Sequence, residues 1–95
     1  MTKITIKKSA KKSTYVNVPP EKSFWFCDGQ VAKNLKELAA ILETMPQNVF
    51  EHHANNNKND FSRWIADVFG DVALAKGIQK INSSKVMAKK IKAKL

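Results

Sequence analysis

The chain has 95 residues, of which 43% are hydrophobic; that suffices for one small domain with a thin core and leaves no room for two. Its 17 Lys+Arg against 8 Asp+Glu give a formal net charge of +9, while no apolar run approaches the roughly 18–20 residues that cross a bilayer. A single cysteine, Cys27, excludes an internal disulfide framework and fits a reducing cytoplasm, and the first residues, from Met1 to Lys8, lack the apolar stretch of a secretory signal.

Residues 1–20 read as a basic N-terminal arm. Thr2–Lys7 alternates polar and apolar residues and suits a short edge strand, whereas the Lys/Ser-rich Lys7–Ser13 offers no apolar face to bury. Pro19-Pro20 makes a stiff junction and a domain boundary. Phe24-Trp25-Phe26-Cys27 then predicts a strand or extended segment ending at the turn dipeptide Asp28-Gly29, with Phe24 and Phe26 on one side and Trp25 and Cys27 on the other.

Asn34 caps a first helix, with Glu37 at capping-box spacing. Leu35, Leu38, Ile41, Leu42 and Met45 form its apolar stripe. Pro46 ends this first helix or opens the next, a short second helix over about residues 46–54 that places Val49, Phe50 and His53 on one face. The asparagine-rich run 55–59 predicts a loop, because Asn side chains compete for the backbone. Asn59 or Asp60 caps a third helix with the stripe Phe61, Trp64, Ile65, Val68 and Phe69, and Gly70 ends it. Asp71 caps a fourth helix bearing Val72, Leu74, Ala75, Ile78 and Ile81, which Gly77 weakens by about 1 kcal/mol relative to Ala. After Asn82-Ser83-Ser84, residues 85–95 read as a basic tail or amphipathic helix with Met87, Ile91 and Leu95 in line. At 11 residues such a helix needs a partner surface to persist. The expected fold is therefore all-α, a bundle of three to four short helices over residues 21–81, with an extended aromatic N-terminal segment and basic ends.

The charge is unevenly placed. Residues 1–20 carry Lys3, Lys7, Lys8, Lys11 and Lys12 and no acid; residues 76–95 carry Lys76, Lys80, Lys85, Lys89, Lys90, Lys92 and Lys94 and no acid. All eight acids lie between, against Lys22, Lys33, Lys36, Lys58 and Arg63, so the middle is slightly negative. Lysine is a hydrated point charge suited to sequence-independent attraction, whereas arginine's fork suits base recognition. The twelve lysines of the two ends thus read as a binding set for DNA or RNA phosphate backbones. Solvated tails, an acidic partner protein and a membrane surface are the competing readings. The apolar face of residues 85–95 is narrow and lacks an aromatic, which disfavours the membrane.

The middle of the chain carries a resemblance. Phe24-Trp25-Phe26-Cys27-Asp28-Gly29, the Leu35–Leu38 pair, His53 and above all Asn59-Asp60-Phe61-Ser62-Arg63-Trp64-Ile65, followed by Gly70-Asp71 and Leu74-Ala75, resemble an uncharacterised domain-of-unknown-function family of archaea and some bacteria. The likeness covers about residues 22–80, without the basic ends. It implies a small helical module and brings no reaction, cofactor or ligand with it.

Other constellations are weaker. His52 and His53 are adjacent, so on a helix they diverge by about 100°, and no paired zinc-ligand spacing is present; no metal is expected, and His53 reads as a partly buried, hydrogen-bonded residue near Asn59-Asp60 with His52 exposed. Cys27 with a histidine could form a nucleophile pair, but no oxyanion-hole signal or third orienting residue is visible, and Cys27 reads as a small core residue. Phe61, Trp64 and Phe69 read as core, Trp25 as the exposed aromatic, and Arg63–Asp67 as an i,i+4 pair. Asp60, Asp67 and Asp71 would repel a duplex from a helix-turn-helix built on the third and fourth helices. The sequence therefore predicts a non-enzymatic, cofactor-free, cytoplasmic protein that binds nucleic acid largely without sequence preference. The alternative is a protein-interaction module engaging an acidic partner; homo-oligomerisation is left open by the thin core.

Overall fold

The computed structural model describes residues 17–95; the Thr2–Lys7 strand, the Lys7–Ser13 arm and Lys3, Lys7, Lys8, Lys11 and Lys12 lie outside the described residues. A 3₁₀ turn, Pro20–Lys22, leads into strand β1 (Phe24–Trp25), which pairs antiparallel with β2 (Val31–Ala32) in the register Phe24 to Ala32 and Trp25 to Val31. The helices are α1 (Leu35–Glu43), α2 (Gln47–His53), α3 (Asp60–Trp64), α4 (Val72–Ile78) and α5 (Ser84–Lys92). The fold is thus mostly helical but not all-α. The aromatic segment is one side of a hairpin, because the backbone of Val31–Ala32 supplies the partner that a two-residue strand needs.

The capping chemistry explains where the helices start. Side-chain oxygens of Asn34, Asn59, Asp71 and Ser83 accept from the backbone N–H of Glu37, Ser62, Leu74 and Val86 respectively, each satisfying an orphan donor of the first turn. Glu37 Oε1 accepts from Lys33 N–H, one residue earlier than a strict capping box requires. Pro46 precedes α2. The third helix departs from its expected regularity: α3 runs straight into a π turn, Ile65–Phe69, which ends at Gly70 with φ +70°. The π turn alters the phase of the stripe, so Phe69 is fully buried while Val68 is only half-buried.

The core gathers Phe24 and Phe26 from the hairpin, Leu35, Leu38, Ala39 and Leu42 from α1, Phe50 from α2, Phe61, Trp64, Ile65 and Phe69 from α3 and its extension, and Leu74 and Ile78 from α4. Val18, ahead of the Pro19-Pro20 junction, is also buried, and its N–H donates to Lys33 O at 2.9 Å. Trp64 Nε1 donates to Lys22 O at 2.7 Å, tying α3 to the 3₁₀ turn.

The helix α5 is part of this core. Met87, Ala88 and Ile91 are buried, and α5 packs chiefly on α1 with a second edge on α4. The surface that so short a helix needs is therefore inside the same chain. Gly77 marks the α4–α5 approach: a Cβ there would stand 3.4 Å from Lys90 Cε, an ordinary contact with a flexible side chain. Gly77→Ala is accordingly expected to raise stability by up to about 1 kcal/mol through helix propensity and loss of unfolded-state freedom, read as a higher urea midpoint at unchanged m; a lower midpoint would mean that the α4–α5 seam admits no methyl group.

Candidate functional site

The C-terminal lysines divide by what they touch. All seven from Lys76 to Lys94 are exposed. Lys92 forms an ion pair with Glu43, and Lys85 Nζ donates to Glu43 O at 3.0 Å. Both cations sit at the C-terminal end of α1, where its unpaired carbonyls concentrate negative potential. Lys76, Lys80, Lys89, Lys90 and Lys94 make no ion pair with any described acid. Because α5 buries Met87 and Ile91, its lysines are held on a fixed outer surface instead of being carried on a tail. Val86, 53% exposed, lies among them.

A second feature adjoins this surface. A cleft of about 700 Å³ opens between the asparagine loop and the α4–α5 connection. Amides of Asn55, Asn56, Asn57, Gln79 and Asn82 line it together with the cations Lys58, Arg63 and Lys80, and no carboxylate is among the lining residues. The loop is shaped by its own polar groups: Asn55 N–H donates to Lys58 O, Asn55 Oδ1 accepts from Asn57 N–H, and Asn59 Nδ2 donates to Ile78 O and Gln79 O at 3.1 Å each. Lys80 belongs to both the cleft and the basic C-terminal region. The run 55–59 reads as a loop from its composition, but its position over residues 79–82 depends on the tertiary fold and leaves no local signal.

On another side, Trp25 is 60% exposed, with Nε1 donating to Pro20 O at 3.0 Å. It borders a shallow groove of about 320 Å³ with Trp64, Arg63, Asp60, Asp67 and Val68. Arg63 thus stands between the two depressions, and the expected Arg63–Asp67 ion pair is not formed. Phe61, Trp64 and Phe69 are buried, as their spacing predicts.

Behind the groove lies a polar constellation in which His53 is hydrogen-bonded beside Asp60, as the sequence predicts, while its link to Cys27 leaves no local signal. His53 is buried, with Phe24, Phe26 and Phe61 packed around its ring. Cys27 N–H donates to its Nε2 at 3.0 Å, which assigns the proton of the neutral ring to Nδ1, facing Asp60 Oδ2 at 3.1 Å. Asp60 Oδ2 also accepts from Lys58 Nζ at 3.2 Å. Cys27 itself is exposed, which corrects its expected place in the core: it follows Phe26 on the outward side of the hairpin, beyond the last paired residue. Next to it, the Asp28 carboxyl is held below the usual carboxylate range, first by the Gln30 side-chain amide and then by Gln30 N–H. His52 is exposed but its ring meets that of His53 edge-on at 4.9 Å between centroids.

No helix among the described residues is long and apolar enough to cross a membrane. Compared with known families, the chain matches the model of a family of unknown function, DUF5752, over residues 3–95. That match runs well past residues 22–80 and takes in both lysine-rich ends, which therefore lie within the family's span. No curated protein and no solved structure matches the chain.

Proposed function

The chain belongs to this family of unknown function, and from its own residues we propose that it is a non-enzymatic, largely sequence-independent binder of DNA or RNA. One observation carries this reading: from Lys76 to the C-terminus there are seven lysines and no acid, all seven are exposed, and five have no described acid partner. Phosphate contacts by such cations release condensed counterions, which supplies affinity without base readout. Placement on a docked helix lowers the entropy cost that a mobile tail would meet. The acid-free cleft beside Lys80 adds amide donors, which commonly hold phosphate and sugar oxygens. Exposed Trp25 offers a ring on which an unpaired base can stack. Lys3, Lys7, Lys8, Lys11 and Lys12 contribute a further acid-free set from the N-terminal end of the sequence.

If all twelve lysines of the two ends met duplex phosphates, log K against log salt would slope at about −11. Lys85 and Lys92 are engaged by Glu43, which leaves ten lysines and a limit of about −9; because these do not all face one duplex at once, a slope of about −4 to −8 is expected. Fluorescence anisotropy with duplex DNA, single-stranded DNA and RNA at two salt concentrations measures it. A polyglutamate chain of equal charge serves as the competitor. Binding that does not vary with salt, or that is absent at about 50 mM salt, overturns the proposal. Preference for polyglutamate assigns the surface to an acidic protein partner.

A further inference from the structure

We propose that Cys27, His52 and His53 form a binding site for a borderline-soft divalent transition metal, of which zinc and cobalt are the representatives. One donor atom from each residue, the Cys27 sulfur and a ring nitrogen of each histidine, lies within 4.8 Å of the other two. Tetrahedral zinc, at about 2.3 Å from sulfur and 2.0–2.1 Å from nitrogen, sets its donors roughly 3.3–3.6 Å apart. About 1 Å of closure is therefore needed. Cys27 and His52 are both exposed, so rotation about their own side-chain bonds supplies it without disturbing the core.

Two details favour coordination. The first is the orientation of His53. Its Nδ1 faces Asp60 Oδ2 at 3.1 Å, the carboxylate–histidine arrangement that fixes the tautomer and raises the basicity of Nε2 in metal sites. In the free chain Nε2 accepts the Cys27 N–H at 3.0 Å; on coordination the metal takes that lone pair, and the amide, next to an exposed residue, is left to water. The second is the donor set. A thiolate with two imidazoles suits zinc, cobalt or copper and suits magnesium or calcium poorly. Three protein donors leave a fourth position open to water. The divergence of adjacent histidines on an ideal helix does not prevent this convergence, because His53 is the last residue of α2 and the hairpin brings Cys27 to both rings.

The test is a titration of the reduced full chain with Co²⁺, read in the near-ultraviolet for thiolate-to-cobalt charge transfer and in the visible for tetrahedral ligand-field bands. One equivalent of cobalt with both signatures, displaced by Zn²⁺, is expected. Cys27→Ser should abolish the charge-transfer band, and His52→Ala should weaken binding at least tenfold; both positions are exposed, so the fold should survive, as checked by circular dichroism. Asp60→Asn should weaken binding about 10–100-fold. Absence of a charge-transfer band, its persistence in Cys27→Ser, or unchanged affinity in His52→Ala would overturn the site.

Discussion

A chain ending at Asn82 is expected to lose its cooperative unfolding transition, although the segment removed carries five of the lysines and reads, from composition, as a separable basic end. The reason is packing. Met87 and Ile91 are fully buried and Ala88 nearly so, against the face of α1 that presents Leu35, Leu38, Ala39 and Leu42. Truncating one such side chain, as in Ile91→Ala, costs about 2–5 kcal/mol. A domain of this size has only about 5–14 kcal/mol in total. Removing all three, together with the ion pair and hydrogen bond at Glu43, exceeds what the remainder can absorb. The check is urea denaturation followed by tryptophan fluorescence and circular dichroism. A chain of residues 1–82 that unfolds with the midpoint and m of the full chain would show that α5 contributes no core. A practical consequence follows for any binding assay: the contribution of residues 83–95 has to be measured by charge-changing substitutions, since deletion removes fold and cations together.

The second large effect is expected at Phe61. Its ring is fully buried and stacks between Phe24, at 5.0 Å between centroids, and Phe50, at 5.7 Å, with Phe26 and His53 at its edges. Phe61→Ala leaves a cavity where the hairpin, α2 and α3 meet and is expected to cost about 3–5 kcal/mol, enough to leave part of the population unfolded at room temperature. Trp25→Ala, which removes a ring that is 60% exposed, should change stability by less than about 1 kcal/mol. Equal losses at the two positions would contradict the placement of the hairpin. Because Cys27 N–H meets His53 only when the hairpin lies on α2, Phe61→Ala should also weaken metal binding, whereas Trp25→Ala should not.

These expectations mix what local sequence reveals with what it hides. The starts of α1, α3 and α4 follow from Asn34, Asn59 and Asp71, residues whose side-chain oxygens cap a backbone N–H three positions on. The stripe in Leu35–Leu42 and the burial of Phe61, Trp64 and Phe69 likewise follow from helical period. The pairing of Phe24–Trp25 with Val31–Ala32 does not, because two residues are too few for an alternation to register. The docking of α5 is legible only as a need for some partner, since an amphipathic face does not name what covers it. The trio of Cys27, His53 and Asp60 is assembled from β-hairpin, α2 and α3. The His53–Asp60 half is legible as a satisfied histidine on an apolar helix face near Asn59-Asp60, whereas the approach of Cys27 is not, because it depends on the hairpin. The asparagine cleft shows the same limit: Lys58 and Arg63 read as part of a slightly negative middle, yet the fold sets them around an acid-free cavity with Lys80.

Phosphate binding by Lys89 and Lys90 on the outer surface of α5, and by Lys94 just past its end, is measured by comparing the salt dependence of duplex DNA binding by the full chain with that of Lys89→Glu/Lys90→Glu/Lys94→Glu. These residues are exposed and pair with no described acid, so the triple variant should keep its helical spectrum. Its salt slope should be shallower by about 3, with weaker binding across all duplex sequences. A folded triple variant that binds with the same slope and affinity as the full chain would contradict it.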